Sequence, residues 1–233
     1  MHEGRRGIIC GAGTSLSSVP KEIADNPQNV LICINSSGLH FDHYDYLFIT
    51  DVVYAMTYWE DVCERADNIV MAYLGLTNLY DKCKLKYPGK NIYLMDRRYD
   101  DQTNFAFTDD RLLCGLDACH SATQLAWVMG LRPIVLCGID LCWVDGKRYF
   151  NDRAFDVKKG SGLEGLFDEI HTSYKRNENQ IGYESDLALI NSMNIWHQIW
   201  EKNPSVHDKI FNASPISKLP YFQKVDISSY ICK

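Results

Sequence analysis

At 233 residues, 46% of them apolar and 23% charged, the chain is long enough to bury a full core without disulfide or metal staples. Its net charge of −6 excludes a broad nucleic-acid or anionic-membrane footprint. No apolar run approaches the ~20 residues of a membrane helix, and Met1-His2-Glu3 opens no signal peptide, so a cytoplasmic protein is expected.

The first strand is predicted at "RGIIC", which ends in the turn Gly11-Ala12-Gly13-Thr14-Ser15. "SSVPKEIAD" then favours helix, followed by the strand-length apolar runs "NVLICI" and "DYLFIT". Helical "VVYAMTYWEDVCERA" leads to further strand-like runs, "NIVMAYL" and "NIYLM". "SATQLAWVMG" reads as a helix with Leu125, Val128 and Met129 on one face and Ser121 as its N-cap. It delivers the chain to "PIVLCG". These runs are continuously apolar rather than alternating, which is the pattern of strands covered on both faces. The expected fold is therefore α/β: a Rossmann-like, doubly wound, mostly parallel sheet in one domain over residues 1–233.

The texture changes over residues 151–180. Mixed charge, glycines and weak periodicity there suggest a lid or loop insertion. Beyond it, Ser185 or Asp186 caps a predicted helix, "DLALINSMNIWHQIW", whose Leu189, Met193, Trp196 and Trp200 form a core-packing stripe. A last strand is expected at "DKIFNA".

Nine cysteines are present without any Cys-x-x-Cys pair, so a structural zinc site is not indicated. Cys10, Cys33 and Cys137 fall inside apolar runs and read as reduced core thiols.

The glycine turn lacks the Lys-Ser/Thr of a Walker A loop, and Leu16 stands where a dinucleotide fingerprint needs its third glycine. What remains is a strand, two glycines and two hydroxyls before a helical turn, a pattern able to hold an anion. Asn35 ends the second strand, Asp51 the third, and Gly138-Ile139-Asp140 the strand after the "SATQLAWVMG" helix. In a parallel sheet these strand ends converge on one crevice. Glycines as plain turn formers, Asn35 as a turn residue and Asp140 as a brace of nearby amides are the structural alternatives. His120, beside a helix start, reads as a structural hydrogen-bonder rather than a base.

"GAGTSL", "INSS", "ITD", "SATQLAWVMGL", "VLCGIDLCWVDGKRYF" and "NASPISKL" occur in this order in one superfamily, which the chain resembles over residues 6–222. That superfamily contains bacterial cell-surface sialyltransferases, motility-associated flagellin glycosyltransferases and archaeal 6-hydroxymethylpterin diphosphokinase. The resemblance implies nucleotide contacts from Gly11, Gly13, Thr14, Ser15, Asn35, Asp51 and Gly138, with Asp140 in the nucleotide site. Asp51 stands where the flagellin enzymes and the pterin enzyme carry an aspartate. Of two tyrosines that assist the donor phosphate, one matches Tyr149 and the other falls on Cys142; the loop asparagine falls on Ala12. The sialyltransferase histidine base falls on Tyr183, a poor base with an ordinary pKa of about 10. His171, within the candidate lid, is the alternative base.

Three functions follow from the resemblance. The first is transfer of a sugar from a nucleotide-sugar donor, CMP-linked, to a small-molecule or glycan acceptor hydroxyl, with no metal and with Asp140, Tyr149 and His171 as catalytic residues. Tyr183 then serves as a substrate contact. The second is magnesium- and ATP-dependent pyrophosphoryl transfer to a hydroxymethylpterin, with Asp51 and Asp140 as magnesium ligands. The third is a nucleotide-binding relative without catalysis. Homo-oligomerisation is left open.

Overall fold

The computed structural model describes residues 2–72, 76–98, 111–113, 117–145, 147, 149–150 and 187–231. Eight strands make one sheet: β1 (Arg6–Cys10), β2 (Asn29–Ile34), β3 (Tyr44–Ile49), β4 (Ala66–Met71), β5 (Asn91–Leu94), β8 (Ile134–Cys137), β9 (Ile210–Asn212) and β10 (Gln223–Lys224). The spatial order is β10-β9-β8-β1-β2-β3-β4-β5, and every pairing in it is parallel. Two short strands, β6 (Asp96–Arg98) and β7 (Arg111–Leu113), pair separately and are also parallel. The expected α/β architecture with a mostly parallel sheet is thus observed.

The sheet is covered on both faces. Ile9, Ile32, Phe48 and Leu136 point into one buried cluster, while Ile8, Cys10, Leu31, Cys33, Leu47 and Cys137 point into the other. Adjacent strand residues face opposite sides of a pleated sheet, so a continuous apolar run is what two covered faces require. Helix α3 (Ala118–Val128) and helix α4 (Leu187–Lys202) supply Ala122, Ala126 and Trp196 to the first cluster. Helix α1 (Val52–Arg65) and helix α2 (Thr77–Lys86) supply Cys63, Leu79 and Cys83 to the second.

Several local expectations change. "SSVPKEIAD" forms two 3-10 turns, Thr14–Ser18 and Lys21–Asp25, because Pro20 at their junction has no amide hydrogen to continue an α-helix. The N-cap of α3 is Asp117, whose Oδ1 accepts from the amides of Cys119 and His120 at 2.8 and 3.2 Å; Ser121 lies inside the helix. The face of α3 that meets the sheet carries Ala122, Thr123 and Ala126, while Val128 is 45% exposed. Of the three residues expected on one face, Leu125 and Met129 pack against the first cluster, partly buried. In α4, Trp196 is fully buried, Leu189 is buried and Met193 and Trp200 pack against the same cluster, as the stripe predicted. The capping residues Ser185 and Asp186 lie outside the described residues. No described helix is long and apolar enough to cross a membrane.

Candidate functional site

After β1 the chain turns towards β2 on one side, and β8 enters beside β1 on the other. The carboxyl ends of β1 and β8 therefore form the topological switch point of the sheet, where loops diverge and leave a crevice. Gly11–Ser15 leaves β1 there, and Gly138–Leu141 leaves β8.

These two loops are joined backbone to backbone. The Gly11 amide donates to Cys137 O and the Gly13 amide to Gly138 O, both at 2.8 Å. A Cβ on Gly11 would lie 2.7 Å from Gly138 O, and one on Gly13 would lie 2.6 Å from Asp140 Oδ2. Gly138 has φ +62°, a conformation that L side chains rarely adopt. The glycines therefore serve the approach of loop to loop, which the sequence had suggested only for loop to ligand.

Asp140 sits at the centre of this junction and is 3% exposed. Its Oδ2 accepts from the Ser15 amide at 2.8 Å and from Thr14 Oγ1 at 3.1 Å. Its Oδ1 accepts from Ser15 Oγ. The next residue, Leu141, is buried with φ +53°, a strained backbone of the kind that persists where surrounding contacts over-determine it.

Alternate amides of the β1 loop are thus consumed: Gly11, Gly13 and Ser15 all donate to the β8 loop. Among the described residues, the intervening amides of Ala12 and Thr14 have no acceptor. The carbonyl of Ala12 accepts from the Phe150 amide at 2.9 Å, which brings the half-buried Tyr149 back to the glycine loop.

A third segment, after β9, closes the junction from the other side. Ser214 Oγ accepts from the Ile139 amide at 3.0 Å, and Ser217 Oγ donates to Ile139 O at 2.6 Å. The Lys218 amide donates to Asp140 O at 2.8 Å. Lys224 Nζ donates to Ser214 O at 2.5 Å; burial lowers its pKa, and the Asp140 charge acts in the opposite direction. The roles of Ser214, Ser217 and Lys224 were not read from the sequence. "NASPISKL" was the only trace of Ser214 and Ser217, and nothing local says that it folds against a loop 75 residues earlier.

Asn35 belongs to the neighbouring strand end. It has φ +49°, a left-handed value that asparagine tolerates better than most residues, and its Oδ1 accepts from the Thr50 amide at 3.1 Å. It therefore ties the end of β2 to the end of β3, one residue before Asp51. Ser37 Oγ donates to Cys10 O at 2.7 Å, which locks this turn to β1. Gly11, Gly13, Thr14, Ser15, Gly138 and Asp140 are brought into one cluster, with Asn35 and Asp51 at adjacent strand ends. His171, Tyr183 and the candidate lid 151–180 lie outside the described residues.

Magnesium ligation by Asp51 and Asp140 does not fit this geometry. Both oxygens of Asp140 already accept hydrogen bonds inside a closed junction, and a metal would have to displace those donors. His120 also differs from its expected role. It is fully buried against Trp196, with ring centroids 4.6 Å apart. Its Nδ1 lies 3.3 Å from Asp117 Oδ1, yet neither ring nitrogen makes a directed hydrogen bond. Burial lowers its pKa, opposed by the Asp117 charge.

The fold has solved counterparts. The sialyltransferase CstII from Campylobacter jejuni, solved with cytidine-5'-monophosphate, superposes with a TM-score of 0.52 at 13% identity, over 97% of this chain and 86% of that one. The monofunctional α-2,3-sialyltransferase Cst-I from the same organism gives 0.52 at 14% identity, over 96% and 81%. The MAf glycosyltransferase from Magnetospirillum magneticum AMB-1 gives 0.57 at 11% identity, over 97% of this chain but 34% of that one. At these identities the likeness establishes a shared fold. Neither protein-family models nor curated protein sequences give a match.

Proposed function

We propose that this chain is a glycosyltransferase that moves a sugar from a CMP-linked donor to an acceptor hydroxyl, without a metal. One observation carries the reading: two amides without an acceptor among the described residues, Ala12 and Thr14, alternate with three that are fixed at the switch point. The sialyltransferase fold supports the choice of donor. No observation favours the magnesium-dependent alternative.

In this reading the bond between the sugar's anomeric carbon and the donor phosphate oxygen breaks. The departing phosphate keeps the electron pair, and the amides of Ala12 and Thr14 receive its charge. Pre-oriented backbone donors suit this task because they need no reorganisation as charge develops. The acceptor oxygen forms the new bond and its proton passes to a base, for which His171 is proposed. Tyr149 is proposed as a contact to the leaving phosphate and Tyr183 as a hydrogen-bonding contact to substrate. The amide nitrogen of Asn35, which has no partner among the described residues, is proposed to meet the nucleotide. Asp140 acts through the loop it holds, as a positioning residue. Residues 1–233 are proposed as one nucleotide-binding domain in a cytoplasmic setting, with 151–180 as its lid.

A thermal-shift panel of CMP, UDP, GDP, ADP and ATP, with and without magnesium, tests the reading. A ligand at 100 times its Kd adds about 2.7 kcal/mol, or roughly 5–10 °C for a chain of this size. CMP should produce that shift without metal, and a CMP-sugar should then be consumed. A response confined to magnesium-ATP overturns the proposal.

A further inference from the structure

Helices α1 and α2 pack side by side on the same face of the sheet. Between them, Cys63 Sγ and Cys83 Sγ lie 3.9 Å apart, and both residues are buried. A disulfide needs its sulfurs about 2.05 Å apart, so closure requires the two sulfurs to approach by roughly 2 Å. The other buried cysteines are placed differently. Cys10 faces Cys33 and Cys137 in register on neighbouring parallel strands. The spacing of ~4.8 Å between strands holds such Cβ atoms outside the ~3.5–4.5 Å that a disulfide allows.

We propose that Cys63 and Cys83 form a redox modification site, a dithiol that a small-molecule disulfide oxidises to a bond stapling α1 to α2. The hydrogen bond with Cys63 holds the Cys83 thiol below its ordinary pKa; burial opposes it, and the charge of Lys86 adds to it. The same contact, together with burial, pushes Cys63 up. Cys83 is assigned as the attacking thiol because it lies on the short, largely exposed helix α2. Lys82, Lys84 and Leu85 around it are exposed, so local opening of the short helix α2 brings it to solvent.

The exchange balances in two steps. The Cys83 thiolate attacks one sulfur of oxidised glutathione, forms a mixed disulfide and releases one glutathione thiolate. Cys63 then loses its proton to solvent and attacks the Cys83 sulfur, which expels the second glutathione thiolate. The two protein thiols are oxidised by two electrons, and one glutathione disulfide is reduced to two glutathiones. The staple closes a loop of about 20 residues and restrains the unfolded chain.

The test uses the whole protein in buffers of graded oxidised-to-reduced glutathione ratio, followed by alkylation and peptide mass mapping. An excess of oxidised glutathione should yield a Cys63–Cys83 linked peptide lighter by two hydrogens. The melting temperature should rise by about 6–12 °C, the effect expected of such a loop, and dithiothreitol should reverse both changes. Cys83→Ser should show neither change. The wild-type mass map decides the matter even where that variant folds poorly. Full alkylation of all nine cysteines in the most oxidising buffer, or a linkage joining other cysteines, would overturn the proposal.

Discussion

Two buried polar clusters stand at the carboxyl edge of the sheet and solve the same problem in opposite ways. At the β1–β8 junction, each oxygen of the Asp140 carboxylate has a donor, and the loop amides around it are either bonded or alternate with bonded ones. Where α3 meets α4, Ser192 Oγ donates to Asp117 Oδ2, but among the described residues the ring nitrogens of His120 and the indole nitrogen of Trp196 are buried without a directed hydrogen bond. A satisfied buried network specifies one arrangement, whereas unsatisfied buried groups cost stability. The first cluster is built to hold a loop in one shape. The second is built by packing, at the expense of its polar atoms.

The largest effect should come from breaking the satisfied cluster. Asp140→Ala leaves two hydroxyls and the Ser15 amide without an acceptor in a buried place. Orphaned buried donors cost about 1–3 kcal/mol each, less where relaxation admits water, so a loss of about 3 kcal/mol in urea unfolding is expected. A strand-end aspartate read from sequence alone would leave the fold largely intact on replacement, and unfolding data separate these two views.

The unsatisfied cluster should announce itself through pH. The His120 pKa is lowered in the fold by burial, so the unfolded chain binds more protons than the native one below the ordinary value of 6.5. Stability should fall as pH drops from 6.5 towards the folded-state pKa and level off beneath it. His120→Leu should keep neutral-pH stability within about 1.5 kcal/mol and flatten that part of the acid limb. An unchanged limb would place the acid sensitivity elsewhere.

A smaller loss is expected at the neighbouring strand end. Asn35→Ala removes the acceptor of the Thr50 amide and puts a less tolerant residue at φ +49°. Urea denaturation should register about 1–2 kcal/mol. Under the proposed function, nucleotide affinity should fall as well. The smallest change belongs to Val128, which is 45% exposed on α3. Val128→Lys should stay within about 0.5 kcal/mol, whereas a residue on the buried face of that helix would cost several times more.

Much of the architecture was legible in short-range pattern. Continuous apolar runs at 8–10, 30–34 and 134–137 signalled strands buried on both faces, and these became the neighbours β1, β2 and β8. Helix α2 carried no such signal. Its sequence, "TNLYDKCKLK", buries Leu79 and Cys83 alone, too few apolar positions for a period to stand out. On α3, Leu125 and Met129 pack against the core beside the smaller, fully buried Ala122 and Ala126, and only Val128 of the three expected residues is exposed.

By itself the sequence determined which residues stand at strand ends, because apolar runs stop where glycine, asparagine or aspartate begins. It therefore placed Gly11, Asn35, Asp51 and Gly138 at one edge of a parallel sheet. Only the tertiary structure decided what those residues do there. The side-chain partners of Asp140 lie 125 and 126 residues back in the chain, and those of Ile139 lie 75 and 78 residues ahead. Such pairings depend on strand order, since β8 must insert beside β1 before the two loops can meet. Local propensity carries no record of that order, so a carboxylate that looked available for chemistry is instead closed inside the junction it holds.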